Sequence, residues 1–377
     1  MNDLNTRNEN PDFLQFVYRE LWQAAGASEE HAEAVARGVS MGDRTGKLTQ
    51  GMGVLDCIFL SLEMGCLDIK AVPQIVGEGP TWVLYDGGTS TGYWTLQLAT
   101  LKAIDKAREH GISIAMGRNH NDAGCFFAYT SLALEQDMFA MATNNSPPLV
   151  APWGGRENRL SGAPWCASVP GKDYPLITDI ACIEAHDGNW SEAAYNKKRL
   201  PGKFMVDPNT FELTDDPAPY IVPAEGYGRI CGSHAATVFG TPRLYAINVF
   251  TEMLAALIVP GANITPELPS GATAEQRRRK GITTVGGSCI IVIDPSHFGP
   301  IEEVKDRTER FFQALKSTKP LPGVDEIFLP GERGIRNMRE NRPVPILETH
   351  WEPFVERLQK YDLDIDDLRQ RWESHAG

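Results

Sequence analysis

Two segments decide how this chain is read: RNHNDAG at residues 118–124 and TNNSPPLVAPWGG at residues 143–155. Ahead of the first, Ile112, Ile114 and Met116 alternate with small or polar residues, the two-residue period of a buried strand. That strand carries the His120 imidazole to its carboxyl end, a usual place to build a site in a mixed α/β domain. The second segment closes another short strand, expected over 138–142, and then spends Thr143, Asn144, Asn145 and Ser146 before two prolines. Pro147, Pro148 and Pro152 stiffen the loop, and Gly154–Gly155 allow close approach of a backbone or a ligand. Such a loop suits a cofactor phosphate or amide; local chemistry reads equally well as a surface turn.

Composition bounds the rest. The chain has 377 residues, 42% of them hydrophobic and 23% charged, enough to bury a core without staples and to form two domains. A formal charge of −13 disfavours nucleic acid or an anionic membrane as the main partner. The one basic run, Arg277-Arg278-Arg279-Lys280, sits among glycine, alanine and threonine and reads as a solvated loop. Seven cysteines without a C-x-x-C pair read as reduced, buried thiols of a cytoplasmic protein. The first residues have no apolar signal-peptide core, and no apolar run is long enough to span a membrane.

Along the chain, helices are expected from Pro11, from Ser28, over 54–64, over 93–109, over 244–257, from Pro300 and over 351–372. The central part alternates short strands with proline-rich loops, which favours a mixed, largely antiparallel sheet over repeated βαβ units. First and last helices are expected to pack together. The expected division is therefore a helical substrate and dimerisation domain from residues 1–118 and 294–377, with a cofactor domain over 119–293.

Several motifs are bait. Gly226-x-Gly228-x-x-x-Gly232 has the wrong spacing for a Rossmann fingerprint. Gly88-Thr89-Ser90-Thr91-Gly92 matches a nucleophile elbow and leaves a serine hydrolase at Ser90 as a rival, but no oxyanion segment precedes it and everything before Thr81 reads helical. Gly232-Ser233-His234 reads as a turn. No histidine pairs with a carboxylate at metal-ligand spacing, so no metal is expected. His31, His110, His186, His350 and His375 read as exposed, and His297 as structural.

The two opening segments together resemble the malate/L-lactate dehydrogenase family of type 2, which includes ureidoglycolate, sulfolactate and cyclic-imine reductases. The resemblance continues through Asp43-Arg44-x-Gly46, Asp179-Ile180-Ala181, IDPSHFGP at 293–300, PGVDEIFLPGE at 322–332 and the late run 339–345. It implies a non-Rossmann α/β fold and an NAD(P)-dependent oxidoreductase, cytoplasmic and homodimeric, acting on a small molecule. It also implies that His120 is the acid/base, and a pKa of about 6.5 suits that task. For NAD or NADP it implies Asn145, Asp179, Ile180, Ala181, Gly331, Glu332 and Arg333, with Arg243 standing where the family has lysine. Arg44, Lys47, Thr49 and Gln50 become the candidate substrate contacts.

The departures lie on that substrate side. Where the family reads S-H-G-x-x-R, this chain has Thr49, Gln50, Gly51 and Val54, and the usual G-T-N-P is Gly162-Ala163-Pro164-Trp165. Losing an ionic hydrogen bond to a substrate carboxylate costs about 1.5–3 kcal/mol. A substrate other than plain malate or lactate is expected; a non-redox lyase, isomerase or binding role is the other alternative.

Overall fold

The computed structural model describes residues 6–47, 49–186, 189, 190, 193, 194, 196–207, 209–220, 223, 224, 227–230, 236–268 and 286–376. In chain order it begins with β1 (Thr6–Glu9), α1 (Pro11–Ala24), α2 (Glu29–Arg44), α3 (Leu55–Glu63), β2 (Gln74–Gly79), β3 (Trp82–Asp86) and α4 (Gly92–His110). The middle holds β4 (Ile112–His120), α5 (Phe127–Leu134), β5 (Phe139–Asn144), β6 (Pro164–Val169) and β7 (Leu176–Ala181). Short strands follow: β8 (Met205–Val206), β9 (Leu213–Thr214), β10 (Pro223–Ala224), β11 (Tyr227–Ile230) and β12 (Ala236–Thr237), then α6 (Pro242–Glu252). The chain closes with β13 (Gly286–Ile293), α7 (Ile301–Lys316), α8 (Glu332–Arg339), β14 (Val344–Leu347), α9 (Glu348–Lys360) and α10 (Ile365–Ala376).

Local chemistry explains the helical layer. Asn10 caps α1 by accepting the Asp12 and Phe13 N–H groups, and Ser28 caps α2 through the His31 N–H. Phe13, Leu14, Val17, Tyr18, Leu21 and Trp22 form one buried stripe of α1. Each such side chain contributes about 1.5–3 kcal/mol by leaving water. Their partners come from both ends of the chain: Val35 on α2, Ile58 and Phe59 on α3, Phe354 and Leu358 on α9, and Leu368 on α10. β1 and β14 seal the return as an antiparallel pair, Thr6 opposite Leu347 and Glu9 opposite Val344.

One seven-stranded sheet runs in the order β2-β3-β4-β13-β5-β6-β7. Only β3 and β4 are parallel; every other neighbouring pair is antiparallel, as the proline-broken pattern predicts. Ala115, Ala140, Ala142, Cys166, Ile177, Ile290 and Val292 share a core with residues of α4 and α5. A domain division after residue 118 therefore runs through β4, and β2 and β3 belong to the sheet rather than to the helical layer. β2 itself contradicts the expectation that everything before Thr81 is helical. Among the described residues, no helix is long and apolar enough to cross a membrane.

Candidate active site

His120 reaches the site through an irregularity. Gly117 of β4 lies opposite Ser288 of β13, and His120 opposite Gly286, so Arg118 and Asn119 face the single residue Gly287. This is a β-bulge, and Asn119 takes the left-handed conformation it requires, with φ 53°. The bulge turns His120 onto the same face as Gly117 and Ser288. Asp86 holds it there, accepting from Arg118 Nε at 2.9 Å and Asn119 Nδ2 at 2.8 Å.

The histidine is fully buried. Its Nδ1 lies 2.8 Å from the Asn121 carbonyl oxygen, which can only accept, so Nδ1 carries the proton of the neutral ring. Nε2 then presents its lone pair, and Ser288 Oγ donates to it from 3.2 Å. Burial pushes the imidazole pKa below its ordinary value, against the opposing pull of the Asn121 carbonyl and the Asp122 carboxylate. At neutral pH the group is a base. The glycines beside it are spatial requirements: a Cβ on Gly117 would come within 2.5 Å of Ser288 Oγ, and one on Gly87 within 3.0 Å of His120 Cβ.

A cavity of about 440 Å³ is lined by Thr45, Lys47, Asp179, Phe328, Gly331 and Arg333 among others. Lys47 Nζ sits 2.6 Å from Asp179 Oδ2 and also donates to the Asp179 carbonyl at 2.8 Å. Cys125, whose thiol burial pushes up to about 12, donates to the same carboxylate at 3.4 Å. Arg333 lies over the Phe328 ring, 4.2 Å from its centroid. Sheet register relates this cavity to the histidine. Asp179, Cys166, Ala142 and Ile290 lie directly opposite one another across four strands, and Asn144 and Ser288 stand two residues along on the same face. Strand spacing puts Asp179 roughly 12 Å from Asn144.

The structure thus gathers Lys47, Asp179, Gly331 and Arg333 in one cavity, with His120 further along the same sheet face. Other expected site residues lie elsewhere or are otherwise engaged. Arg44 is bound to Asp12 at 2.5 Å, Ser40 at 3.0 Å and Asn341 at 3.3 Å, tying α1, α2 and the 341 turn together. Asn145 gives its amide to the Asn263 carbonyl, Thr265 and Glu252, and accepts from Gly287 N–H, so it locks β5 to β13. Glu332 is buried and bonded to Lys316, Arg336 and the Leu329 N–H, which shapes the loop over the cavity. Ile180 points out into solvent on the opposite face, Ala181 is half-buried at the strand end, and Arg243 is exposed at the start of α6. Thr49 and Gln50 are half-buried on the 45–52 loop, while Val54 is packed in the helical core.

Ser288 is not singled out by the sequence, and Asn144 only as one of the four polar residues at 143–146. The parity of β5, where Ala140, Ala142 and Asn144 share a face, was the available signal, but the register that brings them to His120 was not. His31 corrects an expectation: it is fully buried between Trp22 and Trp94, bonded to the Ile69 carbonyl and to Thr91. Ser90 Oγ is buried with no hydrogen-bond partner among the described residues, so none of them activates it as a nucleophile. His234, the glycines 226 and 232, and the 277–280 basic run lie outside the described residues.

The site has features that fit a dinucleotide: an amide oxygen on Asn144, opposite Ser288, that is buried and unpaired among the described residues, and an aspartate in a cavity along the same face. The sequence profile of malate/L-lactate dehydrogenase matches residues 10–353. L-sulfolactate dehydrogenase of Methanocaldococcus jannaschii is 29% identical over 91% of this chain and 94% of that protein. The solved structure of sulfolactate dehydrogenase from the same organism superposes with a TM-score of 0.82 at 26% identity, covering 96% of this chain and 99% of that one. A Δ1-piperideine-2-carboxylate reductase from Pseudomonas syringae superposes with a TM-score of 0.76 at 25% identity, covering 94% and 100%.

Proposed function

Since this chain belongs to the malate/L-lactate dehydrogenase family and is an oxidoreductase of that kind, we propose that it interconverts a C–OH and C=O, or C–N and C=N, carbon of a small carboxylated substrate, with His120 as acid/base and NAD or NADP as cofactor. A bound nicotinamide dinucleotide supplies or accepts the hydride. The protein's part is the proton. In oxidation the substrate hydroxyl replaces Ser288 at Nε2, and the buried neutral ring takes its proton as the carbon loses hydride. In reduction the protonated ring returns it to the forming alkoxide or amine. The observation that carries this reading is the Nε2 lone pair, fixed by the Asn121 carbonyl.

Lys47, the cation nearest in sequence to Gln50 and Val54, which fill the places of the family's histidine and arginine, is paired with Asp179 on β7, four strands from His120 on β4, too far for one small substrate to bridge, so we assign it with Asp179 to the cofactor side. We also infer a cytoplasmic homodimer. Supporting it is an apolar row of about half-exposed residues on α6 and the turn after it: Ile247, Phe250, Met253, Leu257 and Ile258.

The test is twofold. NADH or NADPH should raise the melting temperature, because a ligand of the folded state stabilises it. A panel of 2-oxo acids and cyclic imine carboxylates should then reveal cofactor oxidation. No thermal shift with either cofactor, together with no turnover across the panel, would refute the reading. Sedimentation as a monomer would remove the dimer alone.

A further inference from the structure

Asn144 is the last residue of β5 and directly opposite Ser288, on the face where Ser288 meets His120 Nε2. Its side chain is 7% exposed. The Oδ1 atom is buried and has no hydrogen-bond partner, and no hydrogen bond from this side chain occurs among the described residues. Its neighbour Asn145 is fully engaged by four protein groups. One asparagine of the pair is thus structural, and the other is left unpaired across from Ser288, the residue that meets His120 Nε2. Leaving a buried amide without a partner costs folding free energy, and such an exception is expected where a ligand completes the bond.

We propose that the Asn144 amide is the binding group for the nicotinamide carboxamide, an assignment that rests on the nicotinamide reading above. The ligand must bring a donor to Oδ1, so a carboxylate is excluded as its partner. The reacting substrate oxygen is a poor candidate as well, since it is a hydroxyl in one direction and a bare carbonyl in the other, leaving Oδ1 unpaired for half the cycle. A carboxamide donates in both redox states, and its carbonyl accepts from Asn144 Nδ2, so two amides pair reciprocally. That pair fixes the rotation of the ring beside His120 and therefore which ring face receives or gives the hydride.

The experiment compares binding of the natural dinucleotide with that of its 3-acetylpyridine analogue, which keeps the carbonyl but has no N–H to donate. Titration by fluorescence should show the wild type preferring the natural cofactor by about 10- to 100-fold, the worth of a buried donor–acceptor pair. In Asn144→Ala and in Asn144→Leu, which fills the site with apolar atoms, that preference should fall to near unity. Without ligand, Asn144→Leu should melt no lower than wild type, because it removes an unpaired polar group. An unchanged preference in both variants overturns the assignment, as does a lower ligand-free melting temperature in both with cofactor binding intact. Wild-type protein that binds no dinucleotide would instead overturn the nicotinamide reading itself.

Discussion

Ser288 Oγ stands 3.2 Å from His120 Nε2, a contact between residues 168 apart in the chain that only the bulged β4–β13 register creates. Its hydrogen bond stabilises the neutral ring. His120→Ala should leave cofactor binding largely intact while cutting turnover by about 10²–10⁴. Ser288→Ala should act through the histidine: loss of the donor raises the His120 pKa, so the acid limb of the oxidation rate profile moves to higher pH. Oxidation in the wild type should hold its rate to below pH ~6.5, the ordinary histidine value. An acid limb unmoved in Ser288→Ala would assign the serine to packing alone.

The substrate side carries a second expectation. Simple 2-oxo acids such as pyruvate and oxaloacetate should be reduced slowly, and Gln50→His should improve them more than the protein's own substrate. Val54→Arg will not help, because Val54 is 2% exposed within the helical core. Burying an unpaired guanidinium there should cost about 3 kcal/mol or more, read as a fall in melting temperature. Efficient turnover of oxaloacetate by the unaltered protein would end the argument for a shifted substrate.

Asp43 anchors the loop that carries Lys47, accepting from Tyr18 Oη at 2.6 Å and the Met52 N–H at 3.0 Å. Burial raises its pKa to about 7. Between the unfolded value of about 4 and that folded value, the native state binds more protons than the unfolded one, so this contribution falls as pH rises and is lost above about 7. Asp43→Asn keeps the shape without the titration. Its stability relative to wild type should climb between pH 4 and 7 in chemical denaturation, and a difference flat over pH 4–8 would contradict the assignment.

His31 works the opposite way. Burial between two tryptophans lowers its pKa to about 4. The unfolded chain binds a proton near pH 6.5 and the folded chain resists it, so stability is full above 6.5 and drains away as pH falls towards 4. The loss is on the order of 3 kcal/mol. Asp43→Asn, which removes the opposing contribution, should expose this slope most clearly. A stability that does not decline in that variant from pH 6.5 to 4 would show His31 to be charged in the fold.

The strand before His120, the helix caps and the shared helical core were legible because they rest on local periodicity and capping chemistry. β2 was not, since QIVGEG is a largely exposed edge with two glycines and no alternation. His31 looked exposed because its burial depends on Trp94, a residue of another helix. Arg44 looked like a free cation until Asp12 and Asn341 were folded against it. Asn144 and Asn145 are adjacent and chemically identical in the sequence. Strand alternation alone separates them, and that required knowing which face meets Ser288.

The closure of the helical layer by both chain ends sets the order of events on the ribosome. Arg371 pairs with Glu20 across 351 residues, and β14 completes β1. The part of the α1 stripe that meets α9 and α10 must therefore wait, uncovered, while the sheet is synthesised. Nascent chains stalled before Val344 should bind hydrophobic-surface chaperones and be cleaved within α1 by limited proteolysis, and release of the last helices should abolish both. Resistance of α1 to protease in such stalled chains would show that the layer assembles without its C-terminal half.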